Sequence, residues 1–169
     1  MLSNYELFDM ADHYRLPINN IYLRDQCPRK IKEGLYIYNL DDSKQDIPYG
    51  THWTCSIGDR NEVVYFDSFA APPPIEIDRF LKSNYKTYGW NNWIVQNMKS
   101  EFCGFFCIAL FIYVQQHREK FTSLIECVNE FINLFEDDTT KSDRILQSFF
   151  RKHKPIHSIV KAKLLKNKK

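Results

Sequence analysis

No Cys-x-x-Cys pair occurs in this chain, and its five cysteines are an odd number. Both facts argue against a disulfide framework and for free thiols in a reducing compartment. Cys103 and Cys107 stand one helical turn apart, but no second ligand pair accompanies them. Neither zinc nor any other metal or cofactor is therefore expected. Long hydrophobic runs are also missing. The longest, Cys103 to Val114, is 12 residues, too short to cross a bilayer, so no membrane partner is expected. The first residues, MLSNYELFDMADHY, carry charges throughout, so a secretory leader is not expected. Internal repeats are absent. Acidic residues are absent from 151–169, which hold eight Lys and Arg, while residues 1–150 hold 15 basic and 21 acidic side chains. The net charge of +2 thus combines an acidic body with a strongly basic end.

What is present suits one globular domain. The chain has 169 residues, 44% of them hydrophobic, enough for a single core and too apolar for a disordered chain. We read residues 1–160 as one domain and 161–169 as a basic tail. The stretch Gln96 to Cys107, QNMKSEFCGFFC, organises the rest. A polar loop leads into Cys103-Gly104, and the apolar run that follows predicts a buried helix, since it is apolar all round and ends in Gln115-Gln116-His117-Arg118. Cys103 then stands at a helix N-terminus, where free N–H groups and the helix dipole favour a thiolate. Gly104, without a Cβ, is expected to let a substrate backbone approach.

Around this helix the elements fall in order. Ser3 with Glu6 predicts a capped first helix, with Leu7, Met10 and Ala11 inward, ending before Pro17. Residues 18–30 read as irregular. Strands are expected over 34–38 and 52–57, the latter turning back at Gly58-Asp59-Arg60-Asn61 into a return strand over 62–69. Pro74 can open a helix carrying Ile77, Phe80 and Leu81. A further strand over 90–95 is expected to deliver Gln96. Helical spacing recurs at Leu124, Ile125, Val128, Phe131, Ile132 and Phe135, and again at Ile145, Leu146, Phe149 and Phe150. The result is an α+β fold, with a small, mostly antiparallel central sheet flanked by helices.

A cysteine nucleophile needs a base, and the base an orienting group. His13, His117, His153 and His157 lie in polar or basic surroundings and read as solvated. His52 begins a strand, and folding about the 58–61 turn brings Asp67 toward it. Asp67 after Val63-Val64-Tyr65-Phe66 is then expected to accept the His52 Nδ1–H, fixing the tautomer and stabilising the imidazolium. Gln96 can donate its side-chain amide to an oxyanion together with the Cys103 backbone N–H, with Asn97 as the fallback donor. Trp53 and Gly104 are expected to flank a narrow substrate cleft.

The order His-Trp, Asp, Gln, Cys-Gly resembles the adenovirus-type (adenain-like) maturation cysteine proteases and the related SUMO-specific proteases. Gln96 to Cys107 is similar to the adenoviral Gln-(six residues)-Cys-Gly-Leu-Phe-Cys stretch, with Phe105 in place of Leu. Asp143 to His153 is similar to the adenoviral C-terminal helix, and the N-terminal helix is also alike. The resemblance implies that protease fold, with nucleophile Cys103, base His52, acid Asp67 and oxyanion donor Gln96. Two features depart from the adenoviral pattern. Its acid is Glu where this chain has Asp67, as SUMO proteases do. This chain also has no cysteine between Cys55 and Cys103, so a disulfide-linked peptide activator does not carry over.

These readings together imply a monomeric cysteine endopeptidase. It would process capsid or core precursors during virion maturation, cutting after Gly or Ala, in a virion or in the host cytoplasm or nucleus. A virophage or Maverick-type element fits the compact size. The alternatives are an isopeptidase removing SUMO or ubiquitin, an acetyltransferase on the same fold, and a non-catalytic binding module. Lys161, Lys163, Lys166, Lys168 and Lys169 are expected to contact DNA phosphates.

Overall fold

The structure, a computed structural model, describes residues 2–30, 33–44 and 52–153. The expected basic tail, Lys161 to Lys169, lies outside the described residues, as do 154–160, His157 and the Gly50-Thr51 that precedes His52. Among the described residues the chain forms an α+β fold of five α-helices and a five-stranded mixed sheet.

Helix α1 (Asn4–Tyr14) starts at the capping box read from the sequence. Ser3 N donates to Glu6 Oε2 at 2.7 Å, and Glu6 N donates back to Ser3 Oγ at 3.3 Å. It ends on Arg15 in the left-handed region, φ 55°. Strand β1 (Ile18–Leu23) follows where an irregular stretch was expected, pairing parallel with β2 (Gly34–Asn39). Its pairing is with a distant segment, and its burial does not alternate, so the local pattern conceals it. Gly34 is required at that junction: it has φ 140°, and a Cβ would lie 2.0 Å from Asn19 Oδ1, the acceptor of the Leu35 N–H.

β2 pairs antiparallel with β3 (Trp53–Asp59), and β3 antiparallel with β4 (Glu62–Phe66) about the two-residue turn Arg60-Asn61. Helix α2 (Ile75–Asn84) follows Pro74. The last strand, β5, is Thr87–Trp90, parallel to β4. Two of the four pairings are thus parallel, and the sheet is mixed rather than mostly antiparallel. The strand expected over 90–95 lies earlier, because the Asn91 side chain takes up backbone groups of Asp67 and Trp93 and turns the chain off the sheet.

Alternation along the strands sorts side chains into two layers. Ile37, Trp53, Cys55, Ile57, Val64 and Phe66 face helix α3 (Cys103–His117), which is buried nearly all round. Tyr36, Tyr38, Val63 and Tyr65 face Ile77, Phe80 and Leu81 of α2. Helices α4 (Leu124–Ile132) and α5 (Ser142–Lys152) pack on α3 and close the main core. Glu62, at the start of β4, accepts the free N–H groups of Leu124 and Ile125 and so anchors α4 to the sheet. No helix among the described residues is long and apolar enough to cross a membrane.

Candidate active site

Cys103 is the first residue of α3, which has no side-chain cap. The unpaired N–H groups of that first turn therefore gather at the residue bearing the thiol. Cys103 is only 2% exposed. The His52 imidazole interacts with this thiol, which favours the ring's charged form.

His52 immediately precedes β3, and Asp67 immediately follows β4. The hairpin register, Cys55 opposite Phe66, sets the two side chains diagonally across the strand ends. His52 Nε2 meets Asp67 Oδ1 at 2.8 Å. This corrects the expected pairing: Nε2, not Nδ1, bonds the carboxylate, and Nδ1 is the nitrogen left for the Cys103 sulfur. The expectation followed a different triad geometry; here the ring approaches from the strand start, with Phe69 lying against it at a centroid distance of 5.0 Å. Burial of the ring disfavours the imidazolium. Hydrogen bonds to Asp67 and Cys103 outweigh that and carry the His52 pKa up to about 10.

Asp67 is itself tightly placed. It is 1% exposed, and Oδ1 also accepts from the Phe69 N–H at 2.8 Å. Asn91 holds its backbone from both sides, accepting from Asp67 N at 2.9 Å and donating to Asp67 O at 2.7 Å. Ser68 O receives the N–H groups of Val95 and Gln96, each at 3.0 Å, which brings Gln96 beside the same strand end. The Gln96 side chain is buried; its Oε1 accepts from Ser68 Oγ at 2.6 Å, and its Nε2 donates to Ser100 O at 2.7 Å. Ser100 Oγ in turn donates to Asp143 Oδ1 on α5 at 2.8 Å. The structure therefore gathers His52, Asp67, Gln96 and Cys103 around the strand ends and the start of α3. The sequence reading missed Ser68, Asn91, Ser100 and Asp143. Polar residues directly beside candidate catalytic ones, as in Asp67-Ser68, were the available signal.

Trp53 and Gly104 lie elsewhere than expected. Trp53 is 1% exposed, and its indole N–H donates to Leu2 O at 2.9 Å. A Cβ on Gly104 would lie 3.2 Å from Leu2 Cδ1 and Leu7 Cδ2 and 3.3 Å from Trp53 Cδ1. The close approach that Gly104 permits is that of its own chain, which seats the N-terminal segment on the start of α3. Asn97 Oδ1 is taken by the Lys99 N–H. His117 and His153 are half-buried rather than solvated, His117 against Tyr113 and His153 stacked on Phe149 at 4.0 Å.

All five cysteines are free. Burial pushes the thiols of Cys27 and Cys127 up to about 12 and about 11, and that of Cys107 well above its ordinary value. These three stay protonated at neutral pH. Among the described residues no group of His, Cys, Asp and Glu is arranged to hold a metal.

No protein-family model and no curated protein matches this chain. Among solved structures, it is similar to the crystal structure of the ASFV pS273R protease, at 18% identity and a TM-score of 0.40. That match covers 72% of this chain and 44% of the other, so the chain spans under half the length of the structure it matches.

Proposed function

We propose that this protein is a cysteine endopeptidase in which Cys103 is the nucleophile, His52 the acid and base, Asp67 its orienting carboxylate and Gln96 an oxyanion donor. One observation carries the reading: a half-buried imidazole is bonded to a buried carboxylate at 2.8 Å and interacts with a thiol at the N-terminus of the central helix. An imidazolium in that position is the counter-ion a thiolate nucleophile requires.

The Cys103 sulfur attacks the scissile carbonyl carbon, and the carbonyl π pair moves onto oxygen. That oxyanion takes hydrogen bonds from Gln96 Nε2–H and the Cys103 backbone N–H. Collapse breaks the C–N bond as His52 gives its proton to the leaving amine. A water molecule then attacks the thioester, His52 takes its proton, and the acid product leaves with the thiolate restored. Asp67 keeps its charge throughout and holds the ring.

The substrate is a chain with Gly or Ala before the scissile bond, because access to a sulfur this enclosed favours a residue with little side chain. The proposed natural substrates are capsid or core precursor proteins cleaved in virion maturation; this finer claim rests on the resemblance of Gln96 to Cys107 to the adenoviral stretch. A panel of fluorogenic substrates tests the proposal: peptides varied at the position before the cut, SUMO and ubiquitin C-terminal probes, and acetyl-CoA turnover. Hydrolysis of Gly and Ala peptides by the wild type is expected. Turnover confined to SUMO or ubiquitin probes makes it an isopeptidase. Acetyl transfer without hydrolysis, or cleavage after Arg or Phe, contradicts the reading.

A further inference from the structure

The two ends of a primary amide have nearly the same shape, so a glutamine presents N–H to an oxyanion only if its neighbours decide which end points there. Around Gln96 they do. Ser100 O is a backbone carbonyl and can only accept, so the end of the amide that meets it at 2.7 Å is Nε2. The other end, Oε1, then faces Ser68 Oγ at 2.6 Å, where the hydroxyl donates. Ser68 and Gln96 are each 1% exposed, so water does not readily replace this bond. Ser68 also carries the backbone carbonyl that receives Gln96 N and Val95 N, and it directly follows Asp67.

We propose that the Ser68 hydroxyl is a positioning residue for the oxyanion donor: it locks the Gln96 amide with Nε2 toward the Cys103 side, while its neighbour Asp67 orients His52. The inference rests on the protease reading and deepens it. Two consecutive residues at the end of β4 thus set both halves of the site. One Nε2 proton is spent on Ser100 O, and the second serves the oxyanion. Removing the Ser68 hydroxyl leaves a buried Oε1 without its donor and the amide held at one end only, by Ser100 O, so Nε2 is less firmly aimed when the oxyanion forms. Ground-state substrate carbonyls depend little on this contact, so the loss falls on kcat rather than KM.

The test is a double-mutant cycle of Ser68→Ala and Gln96→Ala, read by peptide hydrolysis and by nitrogen-edited NMR of the Gln96 side-chain amide. Ser68→Ala should lower kcat by about tenfold to a hundredfold, below the full loss typical of an oxyanion donor, with KM within about twofold. In the Gln96→Ala background the same change should have no further effect. The Gln96 amide protons should be slow to exchange in wild type and fast in Ser68→Ala. Equal losses of kcat in both backgrounds, or amide signals and kcat unchanged by Ser68→Ala, would overturn the proposal. The NMR arm needs no turnover: an amide released by Ser68→Ala in a protein that cleaves no peptide upholds the positioning role and sinks the protease reading instead.

Discussion

His52 presents Nε2 to Asp67 at 2.8 Å and leaves Nδ1 for Cys103. The carboxylate thus takes one ring nitrogen and leaves the other for the sulfur, and Asp67 favours the imidazolium that faces the thiol. Asp67→Asn keeps an oxygen for the Phe69 N–H and removes the charge. It should fold, yet lose about 10²- to 10⁴-fold in kcat/KM, the usual scale for impaired acid–base catalysis. Steady-state kinetics beside a thermal melt checks this; near wild-type kcat/KM would reduce Asp67 to a turn residue.

The raised His52 pKa makes stability depend on pH. Its folded value of about 10 exceeds the ordinary 6.5, so the folded state holds the proton more tightly. The stabilisation is fully present below about 6.5 and is lost as pH rises through about 10. Melting temperature of the wild type, compared with His52→Ala across that window, should show the wild-type advantage shrinking toward alkaline pH. The same loss of the His52 proton should set an alkaline limb in kcat/KM.

Asn91 should matter more for Asp67 than a loop residue would. Asn91→Ala strands the buried Asp67 N–H, at an expected cost of about 1–3 kcal/mol, while Asp67 O keeps the Ala70 N–H at 2.8 Å. Chemical denaturation should register the loss, and kcat/KM should fall with it as Asp67 drifts from His52. A variant as stable and active as wild type would mean that other groups hold Asp67.

Much of this arrangement was legible because it is local. The Ser3–Glu6 capping box, the hairpin whose turn was expected over 58–61 and falls at Arg60-Asn61 with Gly58 and Asp59 still in β3, and the all-round apolar run after Cys103 each follow from neighbouring residues. The diagonal approach of His52 and Asp67 could be read as well, since one hairpin register determines it. What lay hidden is non-local. β1 exists only by pairing with β2 across the Arg24–Glu33 stretch. The early end of β5 depends on Asn91 finding Asp67. Which nitrogen of His52 faces the acid depends on the direction from which the ring arrives. The purpose of Gly104 depends on Leu2 and Leu7, which lie about a hundred positions earlier in the chain.

For the tail, the proposed partner is DNA. Lys161, Lys163, Lys166, Lys168 and Lys169 end an otherwise acidic protein. Neutralising about four phosphates gives a log–log salt slope near −3.6 at ~0.9 per contact. Deleting residues 161–169 should remove nearly all duplex binding, measured by titration at two salt concentrations, and leave cleavage of a short peptide unchanged. Equal affinity of the two proteins, or no salt dependence, would rule the tether out.

The central claim is that Cys103, paired with His52, is the nucleophile, and mapping the covalent adduct of an electrophilic Gly-Gly peptide tests it most directly. Cys107, one turn deeper, is held protonated by burial, so mass spectrometry at neutral pH should find the adduct on Cys103. It should be absent in Cys103→Ala, strongly slowed in His52→Ala and retained in Cys107→Ala, with peptidase activity following the same order. An adduct on Cys107 or Cys127, with hydrolysis surviving Cys103→Ala, would contradict the account.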